Sequence, residues 1–212
     1  MKVNHLLYKV DDLKESVDRY RKLGFTVEYG RKEKPYNALI YFQEGPYIEL
    51  INNMNMPWYI RLFLRLIGKK RFMQGMINQE NESEGFIRIC FECEKSELEK
   101  IFSMYKKYKI NIMKIMVKRI DIKGRKLQCQ TIFPDEEKLP FVRTPFENNY
   151  KLENISHPNG AKKICSIEYG INNNDKNLLY EMNSDKILKL KQGMGISHVI
   201  IETIRQEHFE FR

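Results

Sequence analysis

The sequence predicts an α+β fold made of two βαβββ units in tandem, with a helix inserted between them and a partial third unit at the C-terminal end. Three observations carry this. Stretches of strand-type alternation and stretches of helical period follow one another in the same order twice. The 212 residues are 42% apolar, enough to bury a proper core. With 11 Gly and 7 Pro and no period, collagen-like and low-complexity classes are excluded, and no apolar run reaches the ~18–20 residues a membrane-spanning helix needs.

The first unit occupies residues 1–52. Val3 to Val10 is a strand run, and Asp11-Asp12 supplies a helix N-cap. Leu13, Val17, Tyr20 and Leu23 then fall on one helical face until Gly24 stops it. Phe25 to Tyr29 alternates as a second strand, a basic loop covers Arg31 to Lys34, and Asn37 to Phe42 is a third strand. Gln43-Glu44-Gly45-Pro46 turns the chain into a fourth, Tyr47 to Ile51.

The second unit, residues 85–146, repeats the order. Gly85 to Glu92 reads as a strand, Ser96 as an N-cap, and Leu98, Ile101, Phe102, Tyr105 and Tyr108 as a helical face. Strands follow at Ile115 to Ile120, Arg125 to Phe133 and Leu139 to Arg143. Between the units, residues 53–84 hold an aromatic, basic helix from Pro57 to Phe72 and a polar linker from Asn78 to Glu84. In the remainder, 147–212, the turn His157-Pro158-Asn159-Gly160 precedes a strand at Lys163 to Ile171. A short helix at Asp175 to Asn183, a strand at Ile196 to Ile201 and an exposed end from Arg205 to Arg212 complete the reading.

Several of these segments together resemble the glyoxalase-like branch of the vicinal oxygen chelate superfamily, which also contains bleomycin-resistance proteins and extradiol dioxygenases. They are Asn4-His5-Leu6-Leu7-Tyr8-Lys9-Val10, the helix end Leu23-Gly24-Phe25, Asn37-Ala38-Leu39-Ile40-Tyr41-Phe42, Tyr47-Ile48-Glu49-Leu50-Ile51, and His157-Pro158-Asn159-Gly160-Ala161. The resemblance implies a single glyoxalase-like domain over 1–212, whose paired modules curl a mixed sheet around a central cavity. It further implies that a divalent metal (Zn, Fe, Mn or Ni) is held by inward-pointing His and Glu side chains, here His5 and Glu49, with open positions for a substrate's adjacent oxygens.

The second module departs from that pattern, because Gly85-Phe86-Ile87-Arg88 has no histidine and Leu139-Pro140-Phe141-Val142-Arg143 has no carboxylate. The tail histidines His157 and His198 are left as sources of a third donor. His157 enters the candidate metal set, although His-Pro-Asn-Gly by itself favours a plain turn. Glu49 alternates with Ile48 and Leu50, so it faces either solvent or a polar cavity, where it would hold metal or move a proton; Arg143 is one available partner for it. Asn37 and Tyr41 share a parity on their strand and are candidate substrate contacts, with strand-entry bonding and core packing as the plainer alternatives, and Arg143 is a further candidate substrate contact.

The balance of 37 Lys+Arg against 28 Asp+Glu gives +9. Arg61, Arg65, Lys69, Lys70 and Arg71 all lie in the inserted helix, which has no acidic residue, so the excess is local. Two readings stand: a helix packed on the sheet with a solvated basic edge, or a lid whose cations, Arg61 among them, draw an anionic substrate. Membrane contact through this helix has less support, and no nucleic-acid-binding pattern appears. Cys90, Cys93, Cys129 and Cys165 suit a reducing compartment as spectators, and the lone CxxC lacks a second pair for zinc. Met1-Lys2 leads into a strand with no apolar leader, from which a cytoplasmic location is expected. The expected partner is a small, oxygen-rich or anionic molecule, bound by a metal-dependent lyase or dioxygenase or else by a metal-free sequestering protein. Whether two chains form a homodimer stays open.

Overall fold

A computed structural model describes residues 1–52, 56–147 and 155–211. β1 (Lys2–Lys9) sends Leu6 and Tyr8 into the main core and His5, Leu7 and Lys9 to the opposite face. In α1 (Leu13–Lys22), the Asp12 carboxylate accepts from the Glu15 N–H at 2.7 Å and caps the helix, which buries Leu13, Val17 and Tyr20. Three strands follow: β2 (Glu28–Tyr29), β3 (Asn37–Ile40) and β4 (Tyr47–Ile51). β2 and β3 are shorter than the apolar runs suggest. Tyr41 leaves β3 to offer its carbonyl to His157, and Gln43 donates its N–H to the Lys162 carbonyl at 3.1 Å.

The single inserted helix expected from sequence is two, α2 (Trp58–Leu66) and α3 (Lys70–Glu80). Gly68 at φ +73° breaks it in a conformation that side-chain-bearing residues avoid. The start of the expected linker belongs to α3, because Gln79 is buried and donates to the Glu137 carbonyl at 2.9 Å while Asn78 bonds the Glu137 carboxylate. α2 does not pack flat on the sheet. Only Leu64 of it is buried, and Trp58 and Leu66 are 75% and 77% exposed.

The second module runs β5 (Gly85–Glu92), α4 (Leu98–Lys107), β6 (Ile112–Ile120), β7 (Lys126–Pro134) and β8 (Phe141–Arg143). Glu94, not Ser96, caps its helical segment through a reciprocal box with Glu97, whose carboxylate takes the Glu94 N–H at 2.9 Å. Both modules share one strongly curled mixed sheet of order β2-β3-β4-β1-β5-β8-β7-β6. β1 pairs β5 antiparallel at the centre, and each pairs its own module's last strand in parallel.

The C-terminal part forms a second sheet, β10-β9-β11-β12, from β9 (Ala161–Ile171), β10 (Leu188–Gln192), β11 (Gly195–Thr203) and β12 (His208–Glu210), with α5 (Lys176–Met182) between β9 and β10. Its element order repeats that of the modules, but its first strand pairs the second in parallel, so the pairing differs. β10 and β12 are not apparent from sequence, and the chain end is not an exposed tail. Phe211 is buried and stacks on Tyr20 with ring centroids 4.8 Å apart, while Arg212 lies outside the described residues. α1, α4 and this sheet share one core with one face of the eight-stranded sheet. The other face is left to α2 and α3, through a small cluster around Leu64, Phe72 and Met73.

The expected His157–Gly160 turn is present and docks on the end of α1. Asn159 donates its backbone N–H to the Gly24 carbonyl at 3.1 Å and its side-chain amide to the Leu23 carbonyl at 2.9 Å. Gly24 has φ +82°, and a Cβ there would stand 2.8 Å from the Asn159 Cβ and 2.9 Å from its backbone N. Gly24→Ala is therefore expected to destabilise the protein by about 2 kcal/mol or more, from backbone strain and the clash together, read as a lower urea midpoint at unchanged m-value.

Candidate functional site

A cavity of about 740 Å³ lies between the free face of the sheet and the α2–α3 pair. Its roof and far wall are apolar, with Phe63 and Leu64 of α2, Phe72 and Met76 of α3, and Met113 and Phe133 of the sheet. Its polar end is built on the strands, where His5, Asn37, Tyr47, Glu49, Arg119 and Arg143 come together. This is the shape of a pocket for a small molecule with an apolar body and a polar head.

His5 is held from behind. The Asn4 amide donates its N–H to Glu92 at 2.7 Å, which turns its oxygen toward His5 Nδ1, also at 2.7 Å. That network makes Nδ1 the protonated nitrogen and leaves the Nε2 lone pair facing Glu49 Oε2 at 3.5 Å. The ring stacks on Tyr47 at 4.7 Å and meets the edge of Phe141 at 5.5 Å. Complete burial, then the positive charges of Arg143 and Arg119, hold the His5 pKa well below the usual imidazole value; the nearby Glu49 does not outweigh them. Glu49 receives the Asn37 amide N–H on Oε1 at 2.6 Å. Asn37 thus touches the carboxylate and lines the cavity.

The strand registers relate the two modules position by position. His5 pairs Tyr47 across β1 and β4, Cys90 pairs Phe141 across β5 and β8, and His5 and Cys90 face each other across the central seam. Cys90 is therefore the counterpart of His5, and Arg143 the counterpart of Glu49. Arg143 reaches Glu92 with Nη2 at 3.2 Å and lies over the Phe146 ring at 4.3 Å. Arg119, absent from the sequence candidates, enters from β6. Alternation with Met113, Ile115 and Val117, which line the cavity, was the signal that could have found it. Its charge is favoured by Glu49, Tyr47 and Tyr41 against the cost of burial. Arg88 is structural. Buried beneath the cavity, it spends its N–H groups on the carbonyls of Leu139, Pro134 and Glu136, and burial brings its pKa down to about 10.

The other candidates lie apart from this centre. His157 is not in the cavity wall. Its Nδ1 accepts from the Thr26 N–H at 2.9 Å and its Nε2 donates to the Tyr41 carbonyl at 2.8 Å, so both nitrogens are used in fixing the turn. His198 sits on the second sheet between Glu168 and Glu210. Tyr41 packs its ring on Tyr47 at 4.8 Å and bonds Arg119, behind the wall rather than in it; burial raises its pKa to about 12. Arg61 binds the Met56 carbonyl at 3.0 Å and reaches Glu80 at 3.8 Å, joining α2 to α3 outside the cavity.

A divalent cation in a catalytic site generally needs three protein donors. His5 Nε2 and Glu49 Oε2 make two, and no group of three His, Cys, Asp or Glu side chains converges among the described residues. The counterpart positions do not extend the set: the Cys90 thiol donates to the Phe91 carbonyl at 3.3 Å, and Arg143 is a cation. The donor set does not fit a tightly held divalent metal.

A family model described as a glyoxalase-like domain matches residues 3–179. Among solved structures, a hypothetical protein from Staphylococcus aureus is similar over 100% of this chain and 98% of its own, at 18% identity and a TM-score of 0.66. The Mn(II)-bound glyoxalase from Novosphingobium aromaticivorans matches at 10% identity and a TM-score of 0.56, over 96% of this chain and 65% of that one. A xylose isomerase-like TIM barrel/4-hydroxyphenylpyruvate dioxygenase fusion protein matches at 11% identity and a TM-score of 0.51, over 95% of this chain and 36% of that one. These likenesses are of fold. No curated protein matches significantly.

Burial also lowers the His157 pKa, so both His5 and His157 favour the neutral form in the folded protein. Below an ordinary histidine pKa of about 6.5 the unfolded chain then binds more protons than the fold, and stability is lost as pH falls. Urea midpoints are expected to drop between pH 7.5 and 5.5, by at most about 1.4 kcal/mol per pH unit for each histidine. His157→Gln should be less stable at pH 7.5 yet show a shallower decline.

Proposed function

The chain belongs to the glyoxalase-like domain family, and on that premise we propose that it binds a small amphipathic molecule in the cavity between the sheet and the α2–α3 pair without a divalent metal, as a sequestering protein. The observation that carries this reading is the charge inversion between counterpart positions, Glu49 in the first module and Arg143 in the second. A guanidinium there repels a cation and supplies hydrogen-bond donors in its place. The apolar walls contributed by α2, α3 and β6 support an apolar ligand body, and the shared fold does not by itself decide the chemistry.

A second reading, that Glu49 takes a proton from a bound substrate, is favoured by one observation. The carboxylate is 15% exposed, with one oxygen fixed by Asn37 and the other toward the cavity side of His5. In that case turnover would fall by about 10²-fold or more in Glu49→Gln, with ligand affinity little changed.

Decan-1-ol tests the binding reading. Burial of its chain at ~0.8 kcal/mol per CH₂ sets an affinity of micromolar at best, and the melting temperature should rise with its concentration in the mass-action form. Met113→Trp, which fills the apolar wall, should abolish that rise. Protein incubated with Zn, Mn, Fe(II) and Ni and then desalted should retain under ~0.1 equivalent of metal. Stoichiometric retention lost in His5→Ala would overturn the metal-free form.

A further inference from the structure

We propose that Arg119 and Arg143 form an anion-recognition site at the polar end of the cavity, so that the ligand's head is a carboxylate or an equivalent oxyanion; this rests on the cavity-binding reading above. The two side chains come from different strands of the second module, β6 and β8, and converge on one ring. Their guanidinium carbons lie 5.3 and 4.3 Å from the Phe146 centroid. Each has an Nε–H that is fully buried and has no hydrogen-bond partner within the protein. Buried guanidinium donors without acceptors are rare, because each unmade bond carries a desolvation penalty with no return. Both residues line the cavity and the Arg143 side chain is 11% exposed, so it is the accessible remainder of the two guanidiniums, not the enclosed Nε–H groups, that is placed to meet an acceptor on a ligand there.

The class of acceptor follows from what surrounds the pair. Phe146, Tyr47 and Phe141 present aromatic rings around the pair, and a guanidinium binds a carboxylate in such surroundings more strongly than a neutral oxygen. Glu49 and Glu92 are already satisfied in part by Asn37 and by Asn4 and Arg143. Neither carboxylate takes the two Nε–H groups. In the first module the same sheet face presents His5 and Glu49, which are acceptors. A ligand lying across the seam therefore meets acceptors on one side and donors on the other.

Three probes of equal chain length, decanoate, decan-1-ol and decyltrimethylammonium, separate this inference from the reading beneath it. By titration calorimetry on the wild-type protein, decanoate should bind at least tenfold more tightly than decan-1-ol, and the ammonium more weakly than either. Arg143→Gln and Arg119→Gln should each bring decanoate to within about twofold of decan-1-ol while leaving decan-1-ol within twofold of its wild-type affinity. Equal wild-type affinities for decanoate and decan-1-ol, or a preference for the ammonium, would overturn the anion site and leave cavity binding standing. Binding of none of the three would remove the cavity reading itself. The wild-type comparison decides the matter even where a substituted protein folds poorly.

Discussion

The polar end of the cavity depends on one antiparallel seam, the pairing of β1 with β5 that sets His5 opposite Cys90. Because each seam strand pairs its module's last strand in parallel, Tyr47 and Phe141 fall on either side of His5, and Glu49 and Arg143 lie one pleat further along. A slip of one residue at the seam would turn His5 into the main core and Leu6 into the cavity, since the faces of a strand alternate. Leu6, Ile48 and Leu50 are wholly buried in the opposite face, which makes such a slip costly. Packing on one side of the sheet thereby fixes chemistry on the other.

Near-neutral accounting then governs the site. Two carboxylates, Glu49 and Glu92, stand among two guanidiniums, Arg119 and Arg143, with His5 neutral between them. Burying this many charges is tolerable only when they offset one another, and such networks contribute less to stability than to defining one arrangement. The Asn4 amide shows the economy of the design: it links Glu92, which holds Arg143, to His5, which faces Glu49. One side chain thus couples the donor half of the site to the acceptor half.

Glu49 was legible in the sequence because a charged residue between two apolar neighbours on a strand declares its face, and Asn37 because it opens a strand of the same module. Arg143 was legible as a candidate contact on the matching strand of the second module, but its standing as the counterpart of Glu49 beside Glu92 needed the register with β5. Arg119 had the same alternation signal as Glu49, but on an edge strand where Lys114, Met116, Lys118 and Ile120 are exposed and make the residue look like one more surface charge. Tyr41 was misplaced because the chain leaves β3 at Ile40, two residues before the end of the run from Asn37 to Phe42. His157 and the C-terminal strands were beyond local reading. The histidine's partners, Thr26 and Tyr41, are more than a hundred residues away, and β10 alternates Leu with Lys as a solvated loop also can.

The inserted segment accounts for the basic excess in an unexpected way. Of its five cations, Arg61 ties down the start of α2, Lys69 donates to the Ile112 carbonyl at 3.0 Å, and Arg71 pairs with Glu136. Those contacts fasten the roof to itself and to the second module rather than presenting charge to the cavity. An anion bound as proposed would therefore be selected by the strand-borne arginines inside, among buried and aromatic side chains, and not by the helix outside, where solvent and salt screen a lysine or arginine within about 10 Å. The roof's own contribution is mainly apolar, with Gln79 and Glu80 at the end of α3 as its polar lining residues. α3 anchors it through Phe72 and Met73, whereas α2 commits only Leu64 to burial. Of the cavity's walls, α2 is thus the one whose displacement uncovers the least core, while β1, β4 and β8, which carry His5, Glu49 and Arg143, are held on both sides by ladders of backbone hydrogen bonds.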